Sequence, residues 1–114
     1  MDLLPALSPS ATTATVGFDR SGPNLTVYLT GELDAASAPS VTAAIFEHIL
    51  PGDERLWLDL STLTFCDSSG LVLLFKLNQH AEESGAHYAL LEPTKPVRRV
   101  IALCDPSGVL RIRA

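Results

Sequence analysis

Charge is scarce in this chain: charged residues make up 18% of 114 positions, and their balance is −5. A net negative surface repels phosphate and lacks the counterion-release term that drives non-specific nucleic-acid binding, so no direct nucleic-acid partner is expected. Cysteine is rarer still. Cys66 and Cys104 are too few for a disulfide framework. Each sits among apolar neighbours, as expected of a small buried hydrophobe. Nothing basic adjoins Cys66 to lower its pKa and make it a redox sensor. Long apolar runs are also missing. The longest, 71–75 and 100–104, fall far short of the ~18 residues that cross a bilayer, so they read as core segments and no membrane partner is expected. The first residues, Met1-Asp2-Leu3-Leu4-Pro5, have no basic start, and Pro5 and Pro9 interrupt them. No signal peptide is expected, and the cytoplasm is the expected location.

Catalytic signatures are absent in the same way. Ser69 precedes Gly70, but no glycine stands two positions before that serine, so the nucleophile elbow of hydrolases is not formed. His48, His80 and His87 are scattered and lack metal-ligand spacing. The glycines make neither nucleotide-binding loop. No catalytic residue, metal or cofactor is therefore expected.

What is present suits one compact domain. Hydrophobic residues reach 46%, enough for one real core at this length. Residues 1–13, rich in Pro, Ser, Thr and Ala without periodicity, read as a flexible lead-in. Residues 14–18 and 25–30 read as strands on either side of the turn residues Ser21-Gly22-Pro23-Asn24. Ser37 is a good N-cap, with Pro39 in the first turn of a helix whose apolar face carries Val41, Ala44, Ile45, His48 and Ile49. Pro51-Gly52 ends it. Residues 55–60 form an apolar inner strand, and Gly85 closes a helix running from Ser68 to about Ser84, with a polar stripe of Lys76, Gln79 and Glu83. A strand at 87–91 follows. A helix comes next, with Val97, Val100, Ile101 and Cys104 inward and Arg98 and Arg99 outward, and then a strand at 109–112. Alternating strands and helices predict an α/β fold. It should be a mixed, mostly parallel sheet of four to five strands packed by three or more helices, with an opening hairpin. Five of the eight basic residues (Lys95, Arg98, Arg99, Arg111, Arg113) lie in the last twenty, as the solvated face of a late helix or a partner surface.

The segment from Leu58 to Leu71 carries the most information. It reads as a buried strand, a short polar loop after Leu60, and then Asp67-Ser68-Ser69-Gly70 at the mouth of an apolar helix. Asp and Ser accept the unpaired N–H groups of a helix's first turn. The same place tolerates a phosphate, because free N–H groups and the helix dipole both favour an anion. A serine there is a cap, a nucleophile or a phosphorylation switch. Asp34 and Asp67 would be a carboxylate pair for acid–base work only in a deep cleft, which a domain this small rarely supplies. Taken alone, Asp34 reads as a turn residue and Asp67 as a cap.

Asp67-Ser68-Ser69-Gly70-Leu71, with Phe65 two residues before the aspartate, resembles the phosphorylation motif of STAS domains. These are anti-sigma-factor antagonists and a cytoplasmic domain of sulfate transporters. Leu29-Thr30-Gly31-Glu32-Leu33-Asp34 resembles the family's Gly-Glu-Leu-Asp segment, with a helix and a strand between the two motifs. The resemblance covers roughly residues 14 to 112, so 14–114 is expected to be one STAS domain. It implies a non-enzymatic bacterial regulator of transcription acting by partner switching. Such a protein binds an anti-sigma-factor serine kinase when Ser68 is unphosphorylated, releases it when phosphorylated, and is reset by a phosphatase. Ser68 is the implied phosphorylation site, and Asp34, Asp67, Ser68, Ser69 and Gly70 the implied partner surface. Ser69 is expected to serve the helix start, and Asp34 to be an exposed side chain of little weight in stability. Val72 stands where the family often has glycine, which makes that helix face bulkier. One alternative is a STAS interaction module of a transporter or stress-signalling assembly without a switch. A remoter one is an acyl-carrier-like protein, whose all-helical bundle the strand patterns at 25–30 and 55–60 contradict.

Overall fold

The computed structural model describes residues 13–113; the lead-in at 1–12 lies outside them. The chain order is β1 (Thr15–Ser21), β2 (Asn24–Leu33), α1 (Ala38–His48), β3 (Arg55–Cys66), α2 (Ser68–Ser84), β4 (His87–Leu91), α3 (Lys95–Cys104) and β5 (Ile112–Arg113). The strands form one five-stranded sheet in the order β1-β2-β3-β4-β5, as the sequence pattern predicts. β1 and β2 pair antiparallel through a two-residue turn, with Ser21 opposite Asn24. Gly22 has φ +59 there, and proline supplies the negative φ that follows, the sign pattern of a type II′ hairpin turn. Every other pairing is parallel. Thr13, the last residue of the expected lead-in, already bridges to Glu32.

Alternation along β2 and β3 creates the core. Leu25, Val27, Leu29 and Leu33 of β2 and Leu56, Leu58 and Leu60 of β3 are buried, joined by Leu73, Leu74 and Leu77 of α2 and by Val41 and Ile45 of α1. Each such leucine is worth about 1.5–3 kcal/mol over an exposed one. Tyr88 of β4 reaches the backbone of α2, its hydroxyl donating to Leu74 O at 2.9 Å, which offsets the cost of burying the phenol. α2 ends where expected, on Gly85 at φ +80.

The structure extends one expectation in a way that matters for the site. Residues 61–66 are strand, not loop: β3 runs twelve residues, to Cys66. Between Asn24↔Arg55 and Leu33↔Cys66, β2 advances nine residues and β3 eleven, and two register shifts absorb the difference. The polar side chains that suggest a loop stitch the ladder instead. Thr62 Oγ1 donates to Leu29 O at 3.1 Å and Thr64 Oγ1 to Gly31 O at 3.0 Å. β4 stops pairing at Asp59↔Leu91. α3 packs against β3, with Val97 and Ile101 buried and Thr94 Oγ1 donating to Leu63 O at 2.7 Å. Cys104, expected inward, is exposed, while Cys66 is buried. The last strand is shorter than expected because Val109 and Leu110 turn their N–H groups to the buried carboxylate of Asp105, at 2.9 and 2.8 Å, instead of joining the ladder.

At the far end of the domain, Arg20 ties the hairpin to the end of α1. Its guanidinium meets both Asp53 oxygens, at 2.7 and 3.0 Å, and donates to His48 O at 2.7 Å. The hydrogen bonds from Arg20 hold the Asp53 carboxyl below the usual carboxylate range. A depressed folded-state pKa contributes stability above the unfolded-state value of about 4 and loses it as pH falls through the folded one. Urea midpoints should therefore drop as pH falls below about 4. Arg20→Gln should flatten that drop, and an unchanged pH profile in the variant would place the acid sensitivity elsewhere.

Candidate functional site

The two motifs meet because adjacent parallel strands end together. Leu33, the last residue of β2, is in register with Cys66, the last of β3, and Asp67 N donates to Leu33 O at 3.1 Å. The loop starting at Asp34 and the helix starting at Ser68 therefore leave the same edge of the sheet. In open parallel sheets, ligands and partners meet the chain at the carboxyl ends of strands.

Each aspartate is turned onto its own loop. Asp67 is the N-cap of α2, its Oδ1 accepting from Ser69 N at 2.8 Å and Gly70 N at 3.2 Å. The helix start leaves four amides needing partners. Asp67 N goes to Leu33 O and two go to the Asp67 side chain, which leaves the amide of Ser68 at the mouth of the helix. Asp34 Oδ1 accepts from Ala36 N at 3.0 Å, Ser37 N at 3.1 Å and Ser37 Oγ at 3.2 Å. The expected exposed Asp34 is thus half-buried and holds the turn before α1. Ser37, at the N-cap position of α1, makes no side-chain cap. It lies buried, its single hydroxyl proton shared between Asp34 Oδ1 and Glu32 O, the latter at 3.1 Å. These two carboxylates are pinned to separate sets of amides and do not form an acid–base pair.

Ser68 is exposed at the first position of α2. One turn on, Val72 is 52% exposed and continues the same strip of the helix. Ser69 is half-buried. It faces a shallow groove of about 350 Å³ between α1 and α2, whose walls include Pro39, Thr42, Val72 and Lys76. Ser69 does not cap the first turn; Asp67 does. Asp67→Ala should accordingly cost about 0.5–2 kcal/mol in urea denaturation, while Ser69→Ala stays near wild type. The reverse ranking would refute this assignment of the cap.

Gly70 is buried, and a Cβ there would stand 2.5 Å from Cys66 Sγ and 3.0 Å from Leu33 Cδ2. Glycine lets α2 begin directly over the ends of β2 and β3. Burial pushes the Cys66 thiol up to about 12, with the Asp67 carboxylate adding to the shift, so this cysteine stays a thiol. Among the described residues, no group of three or more His, Cys, Asp or Glu side chains is placed to hold a metal ion. No helix among them is long and apolar enough to cross a membrane.

A hairpin feeding parallel β-α-β units, with an aspartate-capped serine at the start of the second helix, has a counterpart among known families. The family model for the STAS domain matches residues 16–114. The chain belongs to the STAS family. A STAS-domain containing protein of Pseudomonas aeruginosa (strain UCBPP-PA14) is 28% identical over 91 residues, covering 80% of this chain and 89% of the relative. An anti-sigma factor antagonist from Mycobacterium paratuberculosis superimposes with a TM-score of 0.79 at 22% identity, over 92% of this chain and 87% of that one. The anti-sigma factor antagonist SpoIIAA in its unphosphorylated form gives 0.71 at 21% identity, over 88% and 89%. At these identities the structural likeness shows the fold. Within this STAS domain, the structure brings Asp34, Asp67, Ser68, Ser69 and Gly70, each singled out by the sequence, to one end of the sheet. Sequence reasoning missed Thr42 and Lys76, whose nearness to Ser69 depends on how α1 packs beside α2 and leaves no mark in the local sequence.

Proposed function

We propose that this STAS domain is an anti-sigma-factor antagonist that works by partner switching in the cytoplasm, without enzymatic activity of its own. The observation that carries this reading is the exposed hydroxyl of Ser68 at the N-terminus of α2, beside the one first-turn amide that Asp67 leaves free. In the unphosphorylated state the surface around Ser68, Ser69, Val72 and the Asp34 loop binds an anti-sigma-factor serine kinase. Gly70 contributes by setting where that surface stands, since it has no side chain to present.

The kinase transfers the terminal phosphoryl group of its own ATP to Ser68 Oγ, and the hydroxyl proton leaves with a base on the kinase. The product carries about −1.5 to −2 charges. The helix N-terminus accommodates that charge within the folded domain. The partner interface does not, because an anion beside Asp67 must be desolvated there against the kinase. A phosphatase reverses the step by hydrolysis. Incubation with serine kinases from the same cell and ATP, followed by peptide mapping, tests the reading. Phosphate is expected on Ser68; phosphate at another residue, or none with every kinase, would overturn it.

A further inference from the structure

At the opposite end of β3 from Cys66, roughly 35 Å away along the strand, a second feature has no part in partner switching. A groove of about 730 Å³ opens there around the edge of β4, and its lining includes Arg55, Trp57, Glu82, His87, Arg111 and Arg113. Three of the eight basic residues of a chain with net charge −5 converge on one concavity, with Glu82 the one carboxylate lining it among the described residues. Trp57 organises two of them. The guanidinium carbons of Arg55 and Arg113 stand 5.6 and 5.7 Å from its ring centroid, a cation–π distance. Because the ring already holds these two groups, it serves to position charge for a ligand.

The backbone adds a donor. Along a parallel strand, alternate residues turn their N–H groups to opposite neighbours. Leu90 N donates to Arg111 O and Glu92 N to Arg113 O, both at 2.8 Å, so these positions face β5. Tyr88 has the same parity and also lines the groove, but β5 pairs only with Leu90 and Leu91. The Tyr88 N–H therefore points to the open stretch of edge below the last β5 pair.

From this geometry we propose that the groove binds a small polyanion bearing at least two phosphoryl groups. Arginine forks match phosphate oxygens two at a time. The volume lies within the roughly 300–1,000 Å³ of small-molecule sites, larger than a single phosphate needs. The site is independent of Ser68, and its test does not involve that residue.

Isothermal titration calorimetry with sodium tripolyphosphate at constant ionic strength provides the test. Saturable binding at one site is expected. Arg111→Gln with Arg113→Gln should weaken it about tenfold or more, and Arg98→Gln with Arg99→Gln, which removes the same charge from the exposed face of α3, should leave it nearly unchanged. Should the Arg111 and Arg113 pair impair folding by circular dichroism, Arg55→Gln replaces it with the same expected loss. No saturable heat with wild type, or equal weakening by the α3 control, would overturn the proposal.

Discussion

Ser68→Asp is expected to weaken binding to the partner kinase about tenfold to a hundredfold while leaving the domain folded, and Ser68→Ala to bind like the unmodified protein and accept no phosphate. Ser68 is exposed, so neither change disturbs packing, and surface substitutions of this kind stay within about 0.5 kcal/mol in stability. The added carboxylate stands beside Asp67, which already spends one oxygen on the amides of Ser69 and Gly70. In the free domain, water and the remaining helix-start amide screen the new charge. In the complex, like charges pressed together and stripped of water cost several kcal/mol. Calorimetry with the kinase measures the first effect and urea denaturation the second. A Ser68→Asp protein that binds like wild type, or that unfolds, would sink the switch as an effect on affinity.

Gly70→Ala is expected to destabilise the domain by about 1–3 kcal/mol, although alanine is the better helix former by up to about 1 kcal/mol. The new methyl would stand 2.5 Å from Cys66 Sγ and 3.0 Å from Leu33, both buried, and one of the three must move. Removing the sulfur makes room. Cys66→Ala alone leaves a cavity, but combined with Gly70→Ala it should recover part of the loss, giving a double-mutant coupling of about 1 kcal/mol. Strictly additive losses in chemical denaturation would show that the helix start shifts as a unit and that the sulfur is not the obstacle. The consequence reaches the site, because any shift of the first turn carries Ser68 with it.

Much of this was legible from local chemistry. α2 begins at Ser68 and ends on Gly85 as the motif and the glycine predict, and β4 spans the same five residues in both readings. Burial alternation, turn residues and helix stops act over a few neighbours, so they are written in the sequence directly. The segment at 61–66 was misjudged because its threonines and serine mimic loop composition. Only the pairing with β2 reveals that the hydroxyls of Thr62 and Thr64 bond across strands, while that of Ser61 turns back to Asp59. Asp34 was misjudged for a related reason. Its loop position implies exposure, yet the close return of Ser37 folds the carboxylate inward.

By itself the sequence determined the α/β class, the order of strands and helices, and the identity of the residues that open α2, whereas β2 runs three residues past its expected end, to Leu33. These follow from side-chain period, capping chemistry and backbone freedom. The tertiary structure alone decided that the two motifs share one edge, that Gly70 is required by a cysteine four residues earlier, and that arginines from β3, β5 and the chain just before β5 line one groove, two of them over Trp57. Each of these depends on contacts between segments far apart in the chain or on different elements. Register and packing set such contacts, and no local pattern of residue types encodes them.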